Sequence, residues 1–249
     1  MEKPQDTTMD LGQLPEKTSA AEVVVMEAGL QKNPSDKQVR DYVLKRFYST
    51  RPGNFEHSVE DVKRYIDPSL DGAFVSAWLL AEIDHWDHEK ERLCIITEKQ
   101  LLIIKYNFVA LRIEESKRID LQKIEKIQGG RFVYPKHNLI LNREFQTGIR
   151  IHIDKVLHLS LMQKWNPLFN DMPFFTFTQH KAVPFLDEIP YYMGYQDFKQ
   201  ALVSAMEGTG ATFEASCEDI PLEIYVGLMS MVHNSNDFGY SKDRGVMSF

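Results

Sequence analysis

The sequence predicts an α+β protein in which seven short strands form one strongly bent antiparallel sheet or barrel of the pleckstrin-homology-like kind, capped by a C-terminal helix. Two observations predict this fold. Seven segments of strand length follow one another between residues 73 and 180, and one amphipathic helical segment comes directly after them. A bent sheet with a helical cap buries the apolar faces of both. A flat sheet with helices on one face is the alternative.

The N-terminal part of the chain is predicted to differ from the rest. Residues 1–36 are polar and acidic with little apolar periodicity, so we expect a disordered acidic tail there and a single domain over residues 37–249. The domain is expected to begin with extra N-terminal helices, over residues 36–47 and 57–66, which the helix-breaking RPGN separates.

The seven predicted strands are defined by apolar runs and by alternation of apolar and polar residues. The first, AFVSAWLLAEI, is apolar on both faces and is expected to be central, whereas GIRIHI alternates strictly, as a half-buried strand does. The helix after the strands, YQDFKQALVSAM, has an apolar stripe that includes Phe198 and Leu202 and is expected to close the barrel. The strands are predicted at residues 73–83, 92–97, 101–106, 111–121, 123–130, 148–153 and 174–180.

Composition and charge exclude several classes of protein. Apolar residues make up 43% of the 249 residues, enough for a sizeable core. The net charge of −7 argues against nucleic acid as a partner, because phosphate contacts need clustered Lys and Arg. The N-terminus lacks the pattern of a secretory signal, and no apolar run reaches the roughly 20 residues that a membrane-spanning helix needs. We therefore expect a cytoplasmic protein whose contact with membranes is peripheral.

The segment IDHWDHEKERLCII, residues 83–96, concentrates ionisable side chains. His85 and His88, together with the neighbouring aspartates, are residue types that bind zinc, but they lie between two strand-like runs, where their spacing fixes no metal geometry. We favour the alternative, the polar tip of a hairpin, and predict no metal site. In that hairpin Trp86 folds over the barrel mouth, and the charged side chains around it are solvated.

No catalytic motif is recognisable in the sequence. Neither Cys94 nor Cys217 is followed by the arginine of a Cys-x5-Arg phosphatase loop, and neither a Gly-x-Ser-x-Gly elbow nor a Walker loop occurs. The sequence GTGATF at residues 208–213 copies half of a dinucleotide-binding loop, but it follows a helix rather than a strand. We therefore predict no catalytic residues, no cofactor and no enzymatic activity.

A lipid-binding signature is present at the first predicted hairpin. Barrels of this kind often bind inositol phosphates through a Lys-x-Arg pair there, and Lys90 and Arg92 occupy about that place. Acidic residues surround the pair in sequence and would repel a phosphorylated head group. Two interpretations therefore stand: Lys90 and Arg92 bind phosphoinositides, or they pair with their acidic neighbours.

The C-terminal segment is more apolar than a solvated tail. After Pro221, which is in a helix-starting position, apolar residues recur at helical spacing, and aromatic residues continue to the last position. Such a segment must pack back on the barrel, on a second copy of the chain or on a partner. The residues predicted for partner binding or self-association are Trp86, Trp165, Leu222, Tyr225, Met229, Phe238, Tyr240 and Phe249.

The first predicted helix combines an apolar stripe with a basic face. This pattern is typical of calmodulin targets and of helices that lie on membrane surfaces, although docking of the stripe on the domain is the commoner reason for it. The residues of this calmodulin hypothesis are Arg40, Val43, Lys45, Arg46 and Phe47.

Four spans between residues 45 and 249 are distinctive: RPGNFEHSVEDVK, AWLLAEIDHWDHEKERLCIITEKQLLIIKY, KWNPLFNDMPFFTFTQH and IYVGLMSMVHNSNDFGYSKDRGVMSF. They resemble the TPRG proteins, which are named for regulation by a tumour-protein transcription factor and include the presynaptic vesicle protein Mover. The family is similar to the homology domain of Sac-type inositol phosphatases, which is pleckstrin-like and not catalytic. Departures from the family pattern at His88 and Leu168 leave the branch of the family open.

The resemblance implies a non-enzymatic cytosolic protein that self-associates and attaches peripherally to secretory or synaptic vesicles, with presynaptic or vesicle proteins as partners. In the Mover branch it further implies tuning of neurotransmitter release by vesicle exocytosis. Two functional hypotheses therefore compete: an interaction or scaffold protein that forms homodimers, and a phosphoinositide-binding membrane adaptor.

Overall fold

The residues that the computed structural model describes are 36–84, 89–133, 146–153 and 172–222. The chain divides into two compact units, Met1–Val43 and Leu44–Phe249. The described residues of the first unit are 36–43, which lie in helix α1 (Asp36–Lys45). The other helices and strands that the structure describes belong to the second unit. The predicted division of the chain at residue 36 stays a prediction.

Two further α-helices lie in the second unit, α2 (Asn54–Tyr65) and α3 (Tyr195–Thr209). α2 begins earlier than predicted, because Gly53, with a φ of 82°, lets the chain enter the helix from a left-handed conformation. α3 covers the predicted segment and ends at Gly210, whose φ of 72° glycine adopts freely. Short 3-10 helices are formed by Tyr48–Thr50, Leu121–Lys123, Val183–Phe185 and Tyr191–Met193.

The described strands form one sheet of nine strands. Seven of them precede α3 and match the seven predicted segments, but the predicted total of seven is wrong, since two short strands after α3 also join the sheet. The strands are β1 (Phe74–Ile83), β2 (Glu89–Thr97), β3 (Gln100–Asn107), β4 (Arg112–Asp120), β5 (Lys126–Val133), β6 (Thr147–His152), β7 (Phe174–Thr178), β8 (Glu214–Cys217) and β9 (Ile220–Pro221).

The strand order across the sheet is β4-β3-β2-β1-β7-β6-β5-β8, and β9 also pairs with β5. Neighbours among β1–β7 are antiparallel, whereas β8 and β9 run parallel to β5. β1 pairs with β2 along its length, from Phe74 opposite Thr97 to Ile83 opposite Glu89. The predicted hairpin pairing of these two strands is therefore confirmed.

One apolar core lies between α3 and the inner face of the sheet, to which all of β1–β7 contribute. Ile119 of β4 and Ile127 of β5 share this core, although five strands separate β4 from β5 in the strand order. The sheet must therefore curl strongly round its inner face. Phe198, Leu202 and Met206 of α3 are completely buried there, which confirms the predicted docking of this helix.

The sheet is also covered on its outer face. Leu79, Leu93 and Leu102 point away from the first core and pack with Phe55 and Val62 of α2 in a second apolar cluster. This burial on both faces explains why β1 is apolar on both faces, and it confirms that β1 is a central strand.

Two local expectations are wrong. Pro221 does not start a helix, because it pairs with Val133 as part of β9. β5 does not end at its glycine pair but continues through Gly129 and Gly130 to Val133. A side chain at Gly130 would collide with the carbonyl oxygen of Glu218, so glycine serves here to let the segment between β8 and β9 approach closely.

Candidate functional site

The inner face of the sheet changes from apolar to charged along its central strands. In β1 the buried Leu80 is followed on the same face by Glu82, and in β3 the buried Ile103 is followed by Lys105. Because α3 covers the apolar end, the charged residues collect at the opposite end, which we call the mouth. The charged residues of the mouth are Glu82, Asp84, Lys90, Arg92, Lys105, Glu115 and Lys117.

The mouth contains a cavity of about 330 Å³. Typical small-molecule pockets have volumes of about 300–1,000 Å³, so the cavity is large enough for a small polar ligand. Four of the charged side chains that line it are basic and three are acidic. Its apolar and neutral lining consists of Ile83, Ile103, Ser116, Met172, Phe174 and Phe175.

Lys90 and Arg92, the residues predicted to bind lipid, project into the mouth and form ion pairs there. Lys90 Nζ lies 2.9 Å from Asp84 Oδ2, and Arg92 Nε lies 2.7 Å from Glu82 Oε2. Both pairs connect β2 to β1 or to the residue that follows it. Pairing with acidic neighbours therefore describes this geometry, and lipid binding by the two residues stays a prediction.

Two more basic side chains extend the mouth beyond the predicted pair. Lys105 Nζ lies 3.0 Å from Glu114 Oε2 and 3.6 Å from Glu115 Oε1. Lys117 Nζ lies 4.7 Å from the ring centroid of Phe175, a distance typical of a cation–π contact. Since β4 and β7 are not neighbours in the sheet, this contact spans the mouth.

Glu89 and Glu91 do not belong to the mouth. Alternation along β2 places them on the opposite face of the sheet from Lys90 and Arg92, where they are 5% and 3% exposed. The expectation that these two acids are solvated and surround the basic pair is therefore wrong. The mouth is consequently less acidic than the sequence of the hairpin suggests.

The buried Glu91 belongs to a hydrogen-bonded cluster on the outer face. It accepts hydrogen bonds from Ser49 Oγ and from His180 Nε2, the latter over 2.7 Å. His180 Nδ1 accepts the N–H of Ala182 over 3.1 Å, so Nε2 carries the proton. The serine and the histidine both bond to the carboxylate instead of to each other, so they do not form a nucleophile–base pair.

Cys94 and the two histidines of the hairpin are of residue types that form reactive or metal-binding sites. Cys94 is buried, and burial raises the pKa of its thiol, which disfavours the reactive thiolate. Within the described ranges, no group of three or more His, Cys, Asp or Glu side chains could hold a metal ion. His85 and His88 lie outside these ranges.

Leu222 is the residue among those predicted for partner binding that the structure describes. It is 6% exposed and packs with Ile83, Phe132 and Ile220 of the same chain. This packing favours intramolecular docking for the start of the C-terminal segment. The other predicted residues, which lie outside the described ones, are Trp86, Trp165, Tyr225, Met229, Phe238, Tyr240 and Phe249.

The basic helix of the calmodulin hypothesis is shorter than predicted. α1 ends at Lys45, so Arg46 and Phe47 lie beyond it. Phe47 is buried, with its ring edge-on to that of His180 at a centroid distance of 5.3 Å. Calmodulin binding stays a prediction. The residues of the hypothesis that lie within α1 are Arg40, Val43 and Lys45.

Glu82, Lys105 and Lys117 are members of the mouth that sequence reasoning missed. Each lies two positions from a buried inner-face residue of its own strand. Extending the period-two alternation beyond the apolar runs could have found them. Alternation cannot show that they converge, because that depends on the curvature of the sheet.

Together, the fold and the mouth define a mixed α+β domain with one large bent sheet, which a helix covers at one end and which holds a charged pocket at the other. Among the described helices, none is long and apolar enough to cross a bilayer.

Comparison with known proteins places the chain in a family. Over 234 residues it is 33% identical to the human Tumor protein p63-regulated gene 1 protein, an alignment that covers 90% of this chain and 83% of the relative. The chain belongs to the family of that protein, and the resemblance to the TPRG proteins is confirmed.

A second relationship is to the hSac2 domain. The family model of that domain, described as an inositol phosphatase, matches residues 46–154. The solved hSac2 domain from the human phosphoinositide phosphatase Sac2 is 14% identical, with a TM-score of 0.42, over 69% of this chain and 92% of the domain.

Proposed function

We propose that this protein is a non-enzymatic regulatory protein that self-associates and attaches peripherally to the cytosolic face of secretory or synaptic vesicles, where it tunes exocytosis. Its domain would be a pleckstrin-like barrel formed by β1–β7 and α3. The order of seven antiparallel strands followed by a core-packed helix supports this assignment. Membership of the TPRG family supports a regulatory role.

The observation that carries the proposal is the mutual pairing of the charged groups in the mouth. Lys90, Arg92 and Lys105 each lie within 3.0 Å of a carboxylate oxygen. A catalytic site needs a nucleophile beside a base, or an acid and a base with separate roles. A phosphorylated ligand can replace a carboxylate as the partner of a basic group, because it offers several charged oxygens at once. We therefore infer that the mouth binds a ligand and does not catalyse a reaction.

A phosphoinositide-binding adaptor is the second candidate, and the composition of the mouth favours it. Lys105 and Lys117 add two cations to Lys90 and Arg92, and the acids Glu89 and Glu91 face away. A phosphorylated head group can accept hydrogen bonds from several ammonium and guanidinium groups at once. Such a ligand would attach the protein to membranes without an embedded segment.

Vesicle sedimentation tests the membrane part of the proposal. We expect the full chain to sediment with phosphatidylcholine vesicles that contain a phosphatidylinositol phosphate, and the double variant Lys90→Glu/Arg92→Glu to stay in the supernatant. If both proteins sedimented alike, the mouth would not be the site that binds the vesicles. Failure of the unmodified protein to sediment would refute membrane attachment through lipid.

Light scattering tests self-association. We expect the full chain to scatter as a dimer and a chain lacking residues 223–249 to scatter as a monomer, since that segment carries most of the residues predicted for self-association. A monomeric full chain would refute self-association, whatever the vesicles show.

A further inference from the structure

The turn between β3 and β4 exposes apolar side chains at the mouth end of the sheet. Val109 is 55% exposed and Leu111 is 43% exposed, and Ala110 between them is also exposed. The preceding residue, Phe108, is buried and lies edge-on to Tyr106 at a centroid distance of 4.9 Å. One aromatic ring therefore anchors the turn in the domain while two aliphatic side chains point to solvent.

The side chain of one asparagine stabilises the turn through hydrogen bonds. Asn107 Oδ1 accepts the N–H groups of Val109 and Ala110 over 2.9 and 2.8 Å. Asn107 Nδ2 donates to Glu114 Oε1 over 2.7 Å, and this bond, followed by Lys105, lowers the pKa of Glu114. The turn is therefore tied to the same carboxylate that pairs with a lysine of the mouth.

Leu111 is held in an unfavourable backbone conformation. Its φ of 51° lies in the left-handed region, which glycine and asparagine adopt more readily than leucine does. A leucine that is both strained and exposed gains little for the stability of the isolated domain. Backbone strain of this kind clusters at functional sites.

The turn adjoins the cations of the mouth. Lys105 lies two positions before Asn107, Arg112 directly follows Leu111, and Lys117 lies further along β4. Exposed apolar side chains and a cluster of cations thus occupy the same end of the same two strands. This combination matches the boundary of an anionic bilayer, where head groups carry the charge and acyl chains begin a few ångströms below.

We propose that the β3–β4 turn inserts Val109 and Leu111 into the interfacial layer of an anionic membrane while the mouth binds a phosphorylated lipid head group. This inference rests on the membrane attachment proposed above and deepens it. The two contacts are weak alone, and their combination gives stable attachment because both engage the same surface at once. The basic side chains that lie beside the exposed apolar ones argue for an anionic lipid surface over an apolar protein groove.

The double variant Val109→Asp/Leu111→Asp tests the insertion. Both side chains are exposed, so the fold should tolerate the change, and far-ultraviolet circular dichroism with a thermal melt would verify this. We expect binding to phosphatidylcholine vesicles containing a phosphatidylinositol phosphate to weaken by at least about tenfold, because two charged groups would have to enter the interface. Binding of a soluble inositol phosphate, measured by calorimetry, should be unchanged.

A matched control lies at the opposite end of the strands. Leu70 and Val75 are 64% and 50% exposed near the start of β1, so Leu70→Asp/Val75→Asp adds the same charge and removes at least as much exposed apolar surface. We expect this variant to bind vesicles like the unmodified protein. Equal weakening by both double variants would overturn the inference, because the effect would then come from charge alone.

A variant with the opposite expected effect distinguishes a loss of insertion from misfolding. Tryptophan is favoured at membrane interfaces, so Val109→Trp should strengthen vesicle binding. Unchanged vesicle binding by both the Asp and the Trp variants would refute insertion while leaving the head-group site intact. If the unmodified protein ignores the vesicles, the membrane attachment itself fails and the insertion fails with it.

Discussion

The two ends of the sheet are built from the same strands but differ in what their inner faces carry. At the end covered by α3, the ring centroid of Phe198 lies 6.2 Å from that of Trp78 and 5.9 Å from that of Phe177, within the apolar core. At the mouth, the same inner face presents cations and carboxylates around a cavity.

The two ends are expected to contribute unequally to the stability of the fold. Apolar side chains at the covered end contribute to the free energy of unfolding in proportion to the area they bury. Charged side chains at the mouth contribute little by comparison, since burial costs them solvation that their pairing only offsets. This low contribution to stability is consistent with the proposed binding role of the mouth.

The largest expected effect is at the covered end. Phe198→Ala should lower the free energy of unfolding by about 3–5 kcal/mol, because it removes a fully buried ring and leaves a cavity beside Phe177. Denaturant unfolding measures this. Phe198→Leu is the control and should cost clearly less. A loss below about 1 kcal/mol for the alanine variant would show that α3 does not close the core as described.

A smaller effect is expected from an ion pair of the mouth. Arg92→Met should lower the free energy of unfolding by about 1–3 kcal/mol, because it leaves the carboxylate of Glu82 largely buried without its cation. The double variant Glu82→Gln/Arg92→Met should be more stable than the single variant, since no charge is left unpaired. If the two variants were equally destabilised, the loss would come from packing and not from the ion pair.

The smallest expected effect is a pH dependence at His152, on the outer face of β6. Burial, then the charges of Arg150 and Lys126, lower the pKa of His152 below its ordinary value of about 6.5. The unfolded chain therefore binds this proton more readily, so His152 weakens the fold as the pH falls below neutrality. His152→Gln should reduce the loss of stability between about pH 7 and pH 5, measured by thermal melts. An identical pH profile in the variant would contradict this.

Much of the fold could be predicted because its signals are local. The alternation of GIRIHI and the stripe of Phe198 and Leu202 each identify an element without knowledge of the rest. β8, with the sequence EASC, and β9 carry no such pattern, since their strand conformation comes from parallel pairing with β5. Long-range pairing of that kind produces no recognisable sequence pattern in a short segment.

The site could be predicted only in part. The spacing of Lys90 and Arg92 predicts the basic pair. That Glu89 and Glu91 lie on the opposite face of the sheet follows from β2 starting at Glu89 instead of at Arg92. A strand puts successive residues on opposite faces, whereas a loop does not. An error in one strand boundary thus changed the expected electrostatics of the mouth.

Neutralising equal charge at the two ends tests the central claim most directly. Lys105→Gln/Lys117→Gln removes two cations from the mouth, and Lys99→Gln/Lys123→Gln removes two from the covered end, where β2 turns into β3 and β4 ends. Both variants are compared for sedimentation with vesicles containing a phosphatidylinositol phosphate. We predict that the mouth variant loses binding and that the covered-end variant retains it. Equal binding by the two variants would contradict the account.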